Sequence, residues 1–179
     1  MRAMIPEPTV QPARPQCHPH PHDQPPPAQW PLWRVMPAAS AERTAPSMAR
    51  KQALLTLRDW GIPAGSPLAE AAALVVSEMV SNSVNASHWP GGLPRYDAQG
   101  NLLTLQLGLY SDVRRLLAAV WDQAPGCPLQ PQVTPDATSG RGLAILDYYS
   151  DHHWDWAHMA SGKVVRCLLD SARIRELDA

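Results

Sequence analysis

Glu78 and Asn82 lie four residues apart in the run Leu74-Val-Val-Ser-Glu-Met-Val-Ser-Asn-Ser-Val-Asn-Ala86. If that run is a helix, the two side chains share one face, one turn apart. Leu74, Val75, Met79 and Val80 supply apolar surface around them. A carboxylate and a carboxamide on a mostly buried helix need partners, because burying either unpaired is costly. Mg2+ with phosphate oxygens would serve both, since it favours oxygen ligands and is commonly held by few protein groups. Taken alone, the pair is better explained by a helix face turned to solvent.

Two later segments add to it. Leu117-Ala-Ala-Val-Trp-Asp-Gln-Ala-Pro-Gly126 is an apolar strand pattern that ends in Asp122 and passes at once into turn residues. An Asp there is also a common turn initiator. Ser139-Gly-Arg-Gly-Leu-Ala-Ile-Leu146 places Ser139, Gly140, Arg141 and Gly142 ahead of an apolar helical stretch. Glycine-rich entry to a helix suits phosphate, because free backbone N–H groups and the helix dipole converge there. Arg141 is equally well read as a solvated side chain at a helix start.

The elements that must position these residues follow from pattern and punctuation. Leu32–Met36 reads as a short strand. Ser47 is expected to cap a helix reaching Trp60, which Gly61 ends. Ser66-Pro67 opens a second helix with proline at its first position. It runs to about Ser87, and Trp89-Pro-Gly-Gly-Leu-Pro94 closes it. Leu102–Tyr110 and Val113–Trp121 form an antiparallel hairpin. Residues 123–138 form a loop rich in Pro and Gln. A helix from Arg141 to about Tyr149 follows, then strands His153–His158 and Lys163–Leu169 joined across Ala160-Ser-Gly162. Helices packed on one face of a mixed, mostly antiparallel sheet give an α+β fold, an α/β sandwich.

The chain has 179 residues, enough for one domain with a substantial core plus an extension. Its net charge of -1 offers no electrostatic case for direct binding to nucleic acid or an anionic membrane. No apolar run approaches the roughly 20 residues that span a bilayer. The segment Met1–Pro8 lacks the apolar stretch of a secretory signal. Three scattered cysteines, Cys17, Cys127 and Cys167, suggest no disulfide framework, so a cytoplasmic location is expected.

Residues 1–30 differ from the rest, being rich in proline with little hydrophobic periodicity, and are expected to be a disordered Pro/His-rich tail. Cys17-His18-Pro-His20-Pro-His22 carries good metal ligands. No second cluster is present to close a tetrahedral site, so an unstructured tail is the stronger reading. The folded domain is expected over 31–171, with 172–179 as a C-terminal tail.

In order and spacing, the motifs resemble those of the GHKL ATPase superfamily, the histidine-kinase-like nucleotide-binding domain with the Bergerat-type sandwich. The chain looks most like the small anti-sigma-factor serine kinases of that superfamily, over roughly residues 30 to 170. Their first motif, like E-L-V-T-N-A-V-R-H, is similar to Glu78-Met-Val-Ser-Asn82-Ser-Val-Asn-Ala86. Their adenine-binding Asp falls on Asp122. Their S-G-R-G-L motif matches Ser139 to Leu143. The resemblance implies ATP and Mg2+ as cofactors. It implies Asp122 as acceptor for the adenine amino group and Asn82 as the Mg2+ ligand. Glu78 would be the general base or water-positioner. Gly126, Ser139, Gly140, Arg141, Gly142 and Leu143 would lie along the nucleotide, and residues 123–138 would be the ATP lid.

The departures are specific. Ala124 stands where a D-x-G-x-G pattern has its first glycine, Ala86 where the family has His, and Val164 near a supporting last-strand Thr. The resemblance implies an anti-sigma factor that phosphorylates a Ser or Thr of an anti-anti-sigma (STAS-domain) partner. Its partners would be that protein and a sigma factor, with room for a homodimer. A catalytically silent nucleotide-binding module and a purely protein-binding module compete with that function. The pair Glu78 and Asn82 argues against the last.

Overall fold

The computed structural model describes residues 30–126 and 141–177. The chain order is β1 (Leu32–Val35), β2 (Ala39–Ser40), α1 (Ala45–Asp59), α2 (Pro67–Ala86), β3 (Thr104–Ser111), β4 (Arg115–Asp122), α3 (Arg141–Ser150), β5 (Trp154–His158), β6 (Lys163–Asp170) and α4 (Ser171–Leu177). The strands form one sheet in the order β1-β3-β4-β6-β5, with β2 paired to β3 outside that path. Every pairing is antiparallel. The helices pack on one side of the sheet, giving the α+β sandwich that the patterning implies.

Alternation decides which residues meet the helices. Leu105, Leu107 and Leu109 of β3 join Leu116, Ala118 and Val120 of β4 and Val165, Cys167 and Leu169 of β6 in the main core. Between them, Ala119 and Val164 turn to the other face, where Tyr110, Trp121 and Met159 pack around a smaller cluster.

Local chemistry sets the helix ends. Ser66 is extended and its hydroxyl accepts the N–H of Ala69, with Pro67 at the first helical position. The first helix starts earlier than Ser47 implies. Thr44 is its N-cap, Pro46 lies in its first turn, and the Ser47 hydroxyl donates back to the Thr44 carbonyl. At the other end Gly61 has φ +80° and its N–H bonds to Arg58, while Ile62 N–H reaches the Leu57 carbonyl. That is a Schellman closure, and it buries Ile62 beside Leu57.

The sequence reading misses two boundaries. Trp30 belongs to the domain, since it is buried and the Arg115 guanidinium lies 5.5 Å from its ring centre. The rest of the expected tail, with its Cys/His cluster, lies outside the described residues. The segment 172–179, expected as a tail, supplies α4 through Leu177, and Ile174 enters the core. Only Ile174 is buried in this seven-residue helix, too short a stretch to show a clear period.

Ile174 is 1% exposed, so Ile174→Ala should lower stability by about 2–5 kcal/mol, read as a shifted urea midpoint with an unchanged slope. Burial pushes the Cys167 thiol up to about 12, so its nucleophilic thiolate is scarce at neutral pH. Peptide mapping after iodoacetamide at pH 8 should find Cys167 unmodified in the native protein and modified in denaturant.

Candidate functional site

Helix α2 and the end of β4 bring the first polar groups together. Asp122 is the last residue of β4, and its side chain has no exposed surface. The carboxylate accepts the Ser83 hydroxyl at 2.7 Å on Oδ2. On Oδ1 it accepts the Lys163 ammonium at 2.7 Å and the Ala124 N–H at 3.0 Å. Lys163, 4% exposed at its side chain, also donates to the Ala124 carbonyl at 3.2 Å. The sheet register accounts for the ion pair, because Asp122 and Lys163 face each other directly across β4 and β6.

Ala124, at the motif's first glycine position, is fully buried and is not among the residues with positive φ. Its β-carbon therefore meets no left-handed strain, and its backbone closes a short turn onto Asp122. Gly126 does adopt φ +88°, a backbone conformation that favours glycine. A further glycine matters more. Gly162, in the β5–β6 turn, has φ +97°, and a β-carbon on it would run into the Asp122 carbonyl. That close approach seats the turn, and Lys163 after it, against the end of β4.

The second polar group is the pair on α2. Glu78 is half-buried and Asn82 exposed. None of the ion pairs among the described residues involves Glu78. Gly142, in the first turn of α3, lies against both. A β-carbon there would sit 2.9 Å from Glu78 Oε2 and 3.1 Å from Asn82 Nδ2. The absence of a side chain at Gly142 lets α3 settle on the pair. Arg141 is the first residue of α3, and Leu143 is buried in the core. Ser139 and Gly140 lie outside the described residues, as does most of the 123–138 loop.

Between the two groups lies a cavity of about 230 Å3. Asn82, Ser83, Asn85, Asp122 and Lys163 give it polar atoms, and Met79, Leu143, Leu146 and Val165 line it with apolar surface. Apolar walls with a few convergent polar groups suit a small ligand. Among the described residues no cluster of three or more His, Cys, Asp or Glu could hold a metal. A cation beside Glu78 and Asn82 would depend on oxygens brought by a ligand, as Mg2+ often does.

The structure thus brings Asn82, Asp122 and Leu143 to one cavity and sets Gly142 against Glu78 and Asn82. The sequence reading missed Lys163 and Ser83. Ser83 is one of three serines within α2, and Lys163 acts only through strand register. No protein-family model matches the chain, and no curated protein matches it significantly.

Breaking a buried ion pair from one side strands the other charge, at a cost of about 3–5 kcal/mol. Lys163→Met should therefore destabilise the protein by that order in urea titration. The double variant Asp122→Asn/Lys163→Met should lose less than the sum of its two single variants.

Proposed function

We propose that this protein is an ATP-binding regulatory protein, an anti-sigma factor with serine/threonine-protein kinase activity toward an anti-anti-sigma (STAS-domain) partner. The observation that carries the proposal is the convergence of Glu78, Asn82 and Gly142 beside a cavity that reaches Asp122. That arrangement is what the resemblance to the anti-sigma serine kinases implies for their nucleotide site. In this reading the adenine lies between the apolar walls with its amino group toward Asp122. The phosphates lie toward Asn82 and the start of α3.

The residues fit Mg2+ to the extent that Asn82 and Glu78 offer oxygens and, among the described residues, no ion pair of Glu78 competes. Bound there, Mg2+ would neutralise phosphate charge, the main demand of phosphoryl transfer. Asn82 would hold it through the carboxamide oxygen. Glu78, one turn away, would orient an incoming hydroxyl and accept its proton. The sigma factor and the STAS protein are the proposed partners, and the cytoplasm the proposed compartment. No described helix is long and apolar enough to cross a membrane.

One observation favours a second reading. The Asp122 carboxylate already accepts three hydrogen bonds, so a module that binds partners without transferring phosphate would also keep this buried network intact.

Asn82 is exposed, so Asn82→Ala should leave the fold intact. In isothermal titration it should weaken Mg2+-ATP binding about tenfold and remove the gain due to Mg2+. Unchanged affinity would sink the site. Glu78→Gln should still bind ATP but transfer far less label from radioactive ATP to a STAS partner. Equal transfer would remove Glu78 from the chemistry, and no transfer by the parent would favour the silent module.

A further inference from the structure

Two hydrogen-bonding capacities among the residues that line the cavity are left over. The Lys163 ammonium has three hydrogens. It donates to Asp122 Oδ1 and to the Ala124 carbonyl, and among the described residues its third hydrogen has no acceptor. Asp122 Oδ2 accepts only the Ser83 hydroxyl, so one lone pair remains on it. Both residues line the same cavity. A buried ammonium with an unmet hydrogen recruits an acceptor, because desolvation makes that bond worth more than in water.

We propose that Lys163 is a specificity-determining residue of this cavity, donating its third ammonium hydrogen to a ring acceptor beside the donor that Asp122 takes. The inference rests on the ATP reading above. Adenine presents such an edge: the exocyclic amino group is a donor, and the adjacent ring nitrogen N1 is an acceptor. Asp122 Oδ2 and Lys163 Nζ are neighbours through the ion pair, with Nζ 2.7 Å from Oδ1. A donor and an acceptor side by side on the ligand would therefore meet an acceptor and a donor side by side on the protein. A lone carboxylate would read only the amino group. The ion pair reads two positions and excludes rings that carry a C–H where the acceptor should be. The same ammonium also fixes the carboxylate by register, so the two recognition atoms are held before a ligand arrives, which lowers the ordering cost of binding.

The test compares ATP with 1-deaza-ATP, in which a C–H replaces ring N1, by titration against the full chain. The parent should bind 1-deaza-ATP about tenfold or more weakly than ATP, as loss of a charge-assisted hydrogen bond requires. Lys163→Met should bind the two nucleotides equally. Because that variant leaves Asp122 without its counter-charge, Asp122→Asn/Lys163→Met is measured beside it, and it too should show no preference. A purely structural role for Lys163 would change overall affinity while leaving the ratio of the two affinities alone. Equal binding of both nucleotides by the parent would overturn the role of Lys163 while leaving the ATP reading in place. So would a preference retained in the variants. Binding of neither nucleotide by the parent would overturn the ATP reading and this inference with it.

Discussion

A carboxylate with no exposed surface is the constraint from which the rest of this site follows. Asp122 cannot stay charged at the end of β4 unless its oxygens are matched, since an isolated buried charge is far costlier than any single contact. Three elements answer that demand. Helix α2 supplies the Ser83 hydroxyl, β6 supplies the Lys163 ammonium, and the chain leaving β4 folds back to supply the Ala124 N–H. Each donor fixes the position of its own element relative to the sheet. Gly162 belongs to the same constraint, because only a residue without a β-carbon lets the β5–β6 turn approach the Asp122 backbone so closely.

Helix α2 serves the core and the site at once. Ala69, Ala71 and Ala72 are small and buried, which permits close packing with α1. Val75, Val76, Met79 and Val80 fill the space over the sheet. The remaining face carries Glu78 and Asn82, and it is the face on which Gly142 rests. Structural and chemical demands are therefore separated by helical phase, not by segment. That arrangement explains why the polar pair can sit one turn apart in so apolar a run without disturbing the core.

The features legible in the sequence are those written in local chemistry. Ser66-Pro67 announces the start of α2 and Gly61 the end of α1, because caps depend on residues a few positions apart. The alternation along β3 and β4 reveals the hairpin for the same reason. Glu78, Asn82 and Asp122 are legible as polar groups in apolar runs. Lys163 and Ser83 are not, because their meaning depends on strand register and helix phase, which no short window contains. Ala124 misleads in the other direction. A glycine pattern suggests a left-handed position there, yet the backbone stays outside that region and alanine is accommodated without strain. The start of α1 shifts from Ser47 to Thr44 because Pro46 fits the first turn of a helix, where no backbone donor is needed.

The strand order has a kinetic meaning. Two short hairpins, β3–β4 and β5–β6, are each closed by a tight connection, and they meet only along the β4–β6 seam. Hairpins of that kind form by local encounters, whereas the seam must bring together residues such as Asp122 and Lys163, 41 positions apart. Until it zips, the carboxylate stays hydrated and lacks its ammonium partner, and the cavity lacks the wall that β6 provides. The cavity is thus a product of that long-range pairing. A ligand that fits it selects the finished molecule and pulls the population away from half-assembled forms by mass action.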